Sequence, residues 1–206
     1  MRSNLYQTDG PTFPHHAYVP QKLINLLDKE KNKMIIDFGC GNGFITRQLL
    51  RKGFNVFGVD ESESGIEIAN KEFPGRFFVQ DLSKSPLPNE LSDYKFDTII
   101  ASEVLEHLYA PNKFLSYCFD LLKKNGNGEI IITVPYHGYL KNLALSIFNK
   151  WDFHHTVLWD GGHIKFFSKN TLIQILKDNG FETTTFRGCG RFPFMWKSMI
   201  IKAKLF

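Results

Sequence analysis

The chain has 206 residues, 43% hydrophobic and 15% aromatic, which is enough for one domain with a sizeable core and too few for two. Its 25 basic and 21 acidic side chains, net +4, are spread along the chain, so no basic arm marks a nucleic-acid partner. Cys40, Cys118 and Cys189 form no CxxC pair and no stretch reaches the ~20 apolar residues of a membrane span, which argues against a disulfide framework, a cysteine zinc site and a spanning protein, and leaves a soluble, cytoplasmic one.

Residues 1–32 read as a loop followed by a helix over 20–29. Apolar, β-branched runs at 33–38, 55–59, 76–79, 96–101 and 128–134 predict buried strands. Between them, 44–52 places Phe44, Ile45, Leu49 and Leu50 on one side before Gly53, a helix stop, and 64–73 repeats the pattern with Ile66, Ile68, Ala69 and Phe73. A third helix over 111–124 starts at a proline and runs into Lys-Lys-Asn-Gly. The segment 136–165 changes character: it is rich in aromatics and histidine, with one helical stretch at 140–148. Ser168 then caps a helix carrying Leu172, Ile173, Ile175 and Leu176, closed by Gly180, and 181–187 and 196–205 predict two strands of a hairpin with a long connection. The alternation specifies an α/β fold with a mainly parallel sheet and right-handed crossovers.

The first strand ends in Asp37 and is followed by Gly39, Gly41 and Gly43, a loop that lets backbone approach a ligand at the carboxyl edge of the sheet. A dinucleotide loop, G-x-G-x-x-G, needs glycine where this chain has Phe44 or Thr46, so that register fails.

"DFGCGNG", "VFGVDES", "FFVQDL" and "FDTIIASEVLEHL" follow in order, and together the chain from about Met34 onward resembles the class I S-adenosylmethionine-dependent methyltransferases, in particular the broad group containing the ubiquinone-biosynthesis and many small-molecule enzymes. The resemblance implies a Rossmann-like, doubly wound seven-stranded sheet, mainly parallel, completed by a C-terminal antiparallel hairpin. It also implies cofactor contacts at Asp37, Gly39, Cys40, Gly41, Asp60, Glu61, Asp81, Leu82 and Ser102, with Asp60 accepting the ribose hydroxyls and Asp81 and Leu82 beside the adenine. By the same resemblance, 136–165 is a substrate-covering insertion whose Tyr136, Tyr139, Phe148, Trp151, Phe153 and Trp159 line an apolar pocket.

Methyl transfer from a sulfonium is an in-line displacement, and a base is needed where the attacking atom carries a proton that must leave. Histidine suits that role near neutral pH, and the candidates are His107, His137, His154, His155 and His163. His107 follows the fourth strand and His163 precedes the last helix; these two are the expected catalytic residues, His163 ahead of His107 because a covering segment meets the acceptor. The expected reaction is methylation, at oxygen, of a small-molecule or lipid-like acceptor, with no nucleic acid involved. Two alternatives stand beside it. Glu103, Glu106 and His107 have the Glu-x-x-Glu-His spacing of small-RNA 2′-O-methyltransferases, where the resemblance would imply a magnesium site completed by a later histidine such as His137; the expectation is that no metal is needed. The other is a non-catalytic S-adenosylmethionine-binding protein.

Overall fold

The computed structural model describes residues 10, 14–82, 87–155, 158 and 162–206. Its strands are β1 (Ile35–Phe38), β2 (Val56–Asp60), β3 (Phe77–Val79), β4 (Thr98–Ser102), β5 (Glu129–Pro135), β6 (Phe181–Cys189) and β7 (Ser198–Leu205). They form one seven-stranded sheet in the order β3-β2-β1-β4-β5-β7-β6. β1 to β5 pair in parallel, and β7 inserts antiparallel between β5 and β6. The expected sheet, with its terminal hairpin, is the one observed.

The helices are α1 (Pro20–Ile24), α2 (Phe44–Arg51), α3 (Glu63–Asn70), α4 (Pro111–Lys123), α5 (Tyr139–Ile147), α6 (Trp151–His155) and α7 (Lys169–Asp178). Both sheet faces are covered, which is why the central strands read as unbroken apolar runs rather than alternating ones. Ile36 and Phe38 of β1 join Phe114, Leu115 and Cys118 of α4 and Leu172 and Leu176 of α7 on one face. Ile35 points the other way, into Leu23 of α1 and Ile45 and Leu49 of α2. Ser168 accepts from the Thr171 amide and Thr171 Oγ1 accepts from the Ser168 amide, a reciprocal cap that starts α7 where the sequence places it.

Two local expectations change. The helix expected over 20–29 stops at Ile24: Asp28 donates its amide to Asn32 Oδ1 and accepts from the Glu30 amide, so short side-chain-to-backbone bonds replace the helical ladder. In 136–165 a second short helix, α6, follows α5; the letters Trp-Asp-Phe-His-His carry no apolar period to announce it. Among the described residues, no helix is long and apolar enough to cross a membrane.

Strand order reverses between β1 and β4, and in open α/β sheets the ligand crevice lies at the carboxyl ends of the strands beside such a switch point. The glycine loop leaves β1 there.

Candidate active site

The loop after β1 is held to β2 by backbone: Gly39 and Cys40 donate to the Val59 carbonyl at 2.8 and 3.1 Å. Gly39 has φ +74°, and a Cβ there would meet Val104 Cγ2 at 2.4 Å, so the position demands glycine for both conformation and space. At the end of β2, Asp60 accepts from the Gly41 amide through Oδ2 and from the Ser62 amide through Oδ1, each at 2.8 Å. The carboxylate thus ties the glycine loop to the start of α3. Glu61, exposed, is the next residue, while Asp81 and Leu82, half-buried, follow β3. Leu82 lies beside Gly39, its Cδ1 3.7 Å from where that Cβ would stand.

Asp37 is buried at the end of β1, receives the Thr46 hydroxyl at 2.5 Å through Oδ2, and leaves Oδ1 without a hydrogen-bond partner among the described residues. Burial pushes its pKa up to about 7; the Thr46 hydrogen bond opposes this and the Asp60 charge adds to it. Cys40 is partly buried against Gly58, and burial drives its thiol pKa well up. Ser102, buried at the end of β4, shares a 2.9 Å hydrogen bond with Thr133 of β5. The structure therefore gathers all nine expected cofactor positions along the carboxyl ends of β1, β2, β3 and β4. The narrow glycine loop and the partnerless Asp37 oxygen beneath it fit a bound nucleoside.

Beyond β4 the chain turns sharply. Glu103 adopts φ 56°, a left-handed conformation costing a non-glycine residue about 1–2 kcal/mol, and is held there by β5: its amide donates to the Thr133 carbonyl, and Thr133 Oγ1 donates to Glu103 Oε1 at 3.0 Å. The turn over Leu105–His107 then buries Glu106 completely, with neither carboxylate oxygen hydrogen-bonded among the described residues. Burial, reinforced by Glu103, raises the Glu106 pKa well above the carboxylate range; burial also lifts Glu103 to about 7.

His163 arrives beside this turn because the Ile164 and Lys165 amides both donate to the Glu106 carbonyl, at 2.9 and 3.0 Å. The His107 and His163 rings meet edge to face with centroids 4.9 Å apart. Ligand atoms of Glu106, His107 and His163 lie within 4.8 Å of one another. His163, not His137, thus completes the acid-histidine group; His137 instead stacks on His155 with centroids 5.6 Å apart. Burial lowers the pKa of His163 to about 4 and of His137 to about 3, so both are neutral at pH 7.

Two histidines absent from the sequence-based candidates join them. His15 is depressed to about 3 by burial, then by His16, His107 and His163, and His16 stacks on Phe44 at 4.5 Å. Nothing in their local sequence signals this, since it is the fold that returns the N-terminal segment to the crevice. The chain's seven histidines fall into three ring-contact groups, His15 with His16, His107 with His163, and His137 with His154 and His155.

The expected aromatic pocket is corrected. Tyr136 is buried against Trp196, but Tyr139, Phe148 and Trp151 are exposed, because α5 turns its apolar side away from the sheet. Trp159 and the side chain of Phe153 lie outside the described residues.

A seven-stranded sheet with β7 reversed and a glycine loop over an acid-tipped β2 defines a class I S-adenosylmethionine-dependent methyltransferase domain. Comparison with known proteins agrees: residues 13–185 match the family described as a methyltransferase domain, and the chain belongs to it. The chain is 32% identical over 158 residues to the ubiquinone biosynthesis O-methyltransferase of Pelagibacter ubique, covering 74% of this chain and 62% of that protein. It is likewise 32% identical over 168 residues to the human mitochondrial protein of that name, covering 78% and 44%. This chain therefore spans between two fifths and two thirds of the length of these relatives. The magnesium protoporphyrin IX methyltransferase of Synechocystis PCC 6803, crystallised with bound S-adenosylhomocysteine, shares the fold with a TM-score of 0.69 at 21% identity, over 93% of this chain and 84% of that one.

Proposed function

We propose that this chain transfers a methyl group from S-adenosylmethionine to an oxygen of a small-molecule or lipid-like acceptor held beneath residues 136–165. The carrying observation is the His107–His163 pair, its rings edge to face at 4.9 Å and set beside the carboxyl end of β4. The naming of relatives as ubiquinone biosynthesis O-methyltransferases supports a lipid-like acceptor and oxygen as the methylated atom. Bound S-adenosylmethionine supplies the electrophilic methyl. The chain's own residues align it and the acceptor: Gly39, Gly41 and Asp60 at the nucleoside, Asp81 and Leu82 around the adenine, and Asp37, Cys40, Glu61 and Ser102 along the same carboxyl edge of the sheet. His163 takes the acceptor's proton, and His107 orients His163. The whole forms one domain, and its three free thiols suit the reducing cytoplasm.

A methyl-transfer screen against phenols, quinols, sugars and short RNAs, with wild type, His163→Ala and His107→Ala, tests this reading. A hydroxyl acceptor whose turnover falls about 100-fold or more in His163→Ala supports it. RNA or protein as the sole acceptor overturns it, and near-full turnover in both variants removes the histidine base.

One observation favours a second reading. Glu106 is fully buried, with neither oxygen within hydrogen-bond geometry of a partner among the described residues and His107 Nε2 4.0 Å from Oε1, and the donor set of Glu106, His107 and His163 suits a divalent cation. When bound, such an ion supplies positive charge that favours ionisation of an acceptor hydroxyl. Turnover lost to EDTA and restored by magnesium or zinc, but not restored in Glu106→Gln, establishes this reading; turnover indifferent to EDTA dismisses it.

A further inference from the structure

Where 136–165 was expected to line a pocket with aromatics, it gathers imidazoles instead. His137 lies just after β5, and His154 and His155 end α6. Ring centroids lie 5.8 Å apart for His137 and His154, 5.6 Å for His137 and His155, and 4.9 Å for His154 and His155. Trp151 also stacks on His155, at 4.7 Å, and Phe166 meets His137 and His155 edge to face. His137 is 6% exposed, and its Nε2 has no hydrogen-bond partner among the described residues; neither ring nitrogen of His155 has one.

Buried imidazole nitrogens left unmatched are costly in a finished core, and they point to a polar partner from outside the chain. The chemistry of the cluster narrows that partner. Burial first, then the Lys141 ammonium, lowers the pKa of His137 to about 3, of His154 to about 4 and of His155 below its ordinary value, so the cluster is neutral and lacks the imidazolium an anion would favour. Lys141 itself is engaged with the Tyr136 and Lys197 carbonyls, at 2.7 and 3.5 Å. A shared metal ion lies close to the plane of each ring that ligates it, whereas His137 and His155 stack with only 15° between their planes. Among the described residues, the ligand atoms that do converge are those of Glu106, His107 and His163. What fits is a neutral ligand with several hydroxyls: each neutral imidazole carries one donor and one acceptor, and a hydroxyl answers either, whichever tautomer is present. An apolar tail would leave the same nitrogens unmatched.

The cluster borders the methyl-transfer centre. The His137 amide donates to the Phe167 carbonyl at 3.1 Å, and the Ile164 and Lys165 amides bond the Glu106 carbonyl, so 163–167 runs from His163 to the cluster. From His163 to Phe166 the chain spans at most about 11 Å, a distance a glycosyl group bridges. We propose that His137, His154 and His155 form an acceptor subsite for a neutral, polyhydroxylated molecule of the sugar class, with one hydroxyl at His163 and others bonded to the cluster. This rests on the O-methyl transfer reading above and narrows its acceptor. In transfer the acceptor oxygen bonds the methyl carbon while the carbon–sulfur bond breaks with its electron pair left on sulfur, and the hydroxyl proton passes to His163. Trp151, 41% exposed and with its indole N–H taken by Ser146 Oγ at 2.8 Å, offers the C–H face of a sugar an apolar wall.

Saturation-transfer NMR and calorimetry on the full chain loaded with S-adenosylhomocysteine test it. The probes are the methyl glycosides of glucose, mannose, galactose and rhamnose, with glucuronate and glucose 6-phosphate as charged controls and catechol as the phenolic one. A neutral glycoside should bind, and in wild type the imidazole resonances of His137 and His155 should shift as it is added. His137→Phe and His155→Phe keep a ring in the stack but remove its nitrogens, and each should weaken binding about tenfold or more. His155→Gln, which restores a donor and an acceptor, should recover part of that loss. Thermal midpoint and S-adenosylhomocysteine affinity of the variants should match wild type, which separates the subsite from folding. Glycoside binding without methyl transfer from labelled S-adenosylmethionine supports the subsite and overturns the O-methyl transfer reading; methyl transfer to catechol with no glycoside bound does the reverse. The proposal is also overturned if no neutral glycoside binds, if only the charged sugars do, or if binding and imidazole resonances are indifferent to both Phe variants and to added glycoside.

Discussion

Replacing Gly39 by alanine tests the link between the glycine loop and the turn after β4. Two costs add in the structure. Residue 39 has φ +74°, where an L-residue with a Cβ loses about 1–2 kcal/mol. The new methyl would also stand 2.4 Å from Val104 Cγ2, far inside the roughly 3.5–4.0 Å of carbon contact. Val104 is itself buried, so its shift must disturb packing, at about 1–3 kcal/mol. The expected loss is therefore about 2–5 kcal/mol, a large part of the roughly 5–15 kcal/mol of a typical domain. Urea unfolding followed by circular dichroism should show the midpoint falling by about 1–2 M. The Val104→Ala background separates the two costs, since it removes the clash and leaves the φ cost. The double-mutant cycle should return a coupling of about 1–3 kcal/mol, so that Gly39→Ala is milder when Val104 is already trimmed. A Gly39→Ala protein within about 0.5 kcal/mol of wild type, or a cycle with no coupling, would refute the reasoning.

Asp60→Ala should weaken S-adenosylhomocysteine binding by about 2–4 kcal/mol in a calorimetric titration, since a buried charged acceptor is lost and the Gly41 and Ser62 amides lose their anchor; undiminished affinity would remove Asp60 from the cofactor site. The same titration with NAD should show no heat of binding, because Phe44 and Thr46 stand where a dinucleotide loop requires glycine. Asp37 gives a pH dependence with a definite sign. Its carboxyl titrates at about 7 in the folded chain against 3.8 in the unfolded one, so the unfolded chain sheds this proton first as pH rises. The contribution is fully present below pH 3.8 and lost as pH rises through about 7, by on the order of 4 kcal/mol. Asp37→Asn, which still accepts the Thr46 hydroxyl, should flatten that part of the decline between pH 5 and 8 in unfolding experiments; parallel stability curves for the two proteins would show that burial does not hold the Asp37 proton.

What was legible in the sequence is what depends on neighbours along the chain. Parallel strands covered on both faces must be continuously apolar, so β1, β2, β4 and β5 announce themselves, and Ser168 marks the start of α7 by the cap it makes three residues on. The glycine loop and the acids after β2 and β3 are equally local, being set by conformations and spacings within a few residues. The acid-histidine group is not, because His163 reaches Glu106 only through amides of 164 and 165 bonding a carbonyl more than fifty residues away, and His15 and His16 arrive from the far end of the chain. The direction in which α5 faces is the clearest case. Periodicity shows which side chains share a side of a helix, whereas the side that meets the core is decided by what the sheet offers, here two carbonyls that take the Lys141 ammonium inward and turn Tyr139, Leu143 and Ile147 out.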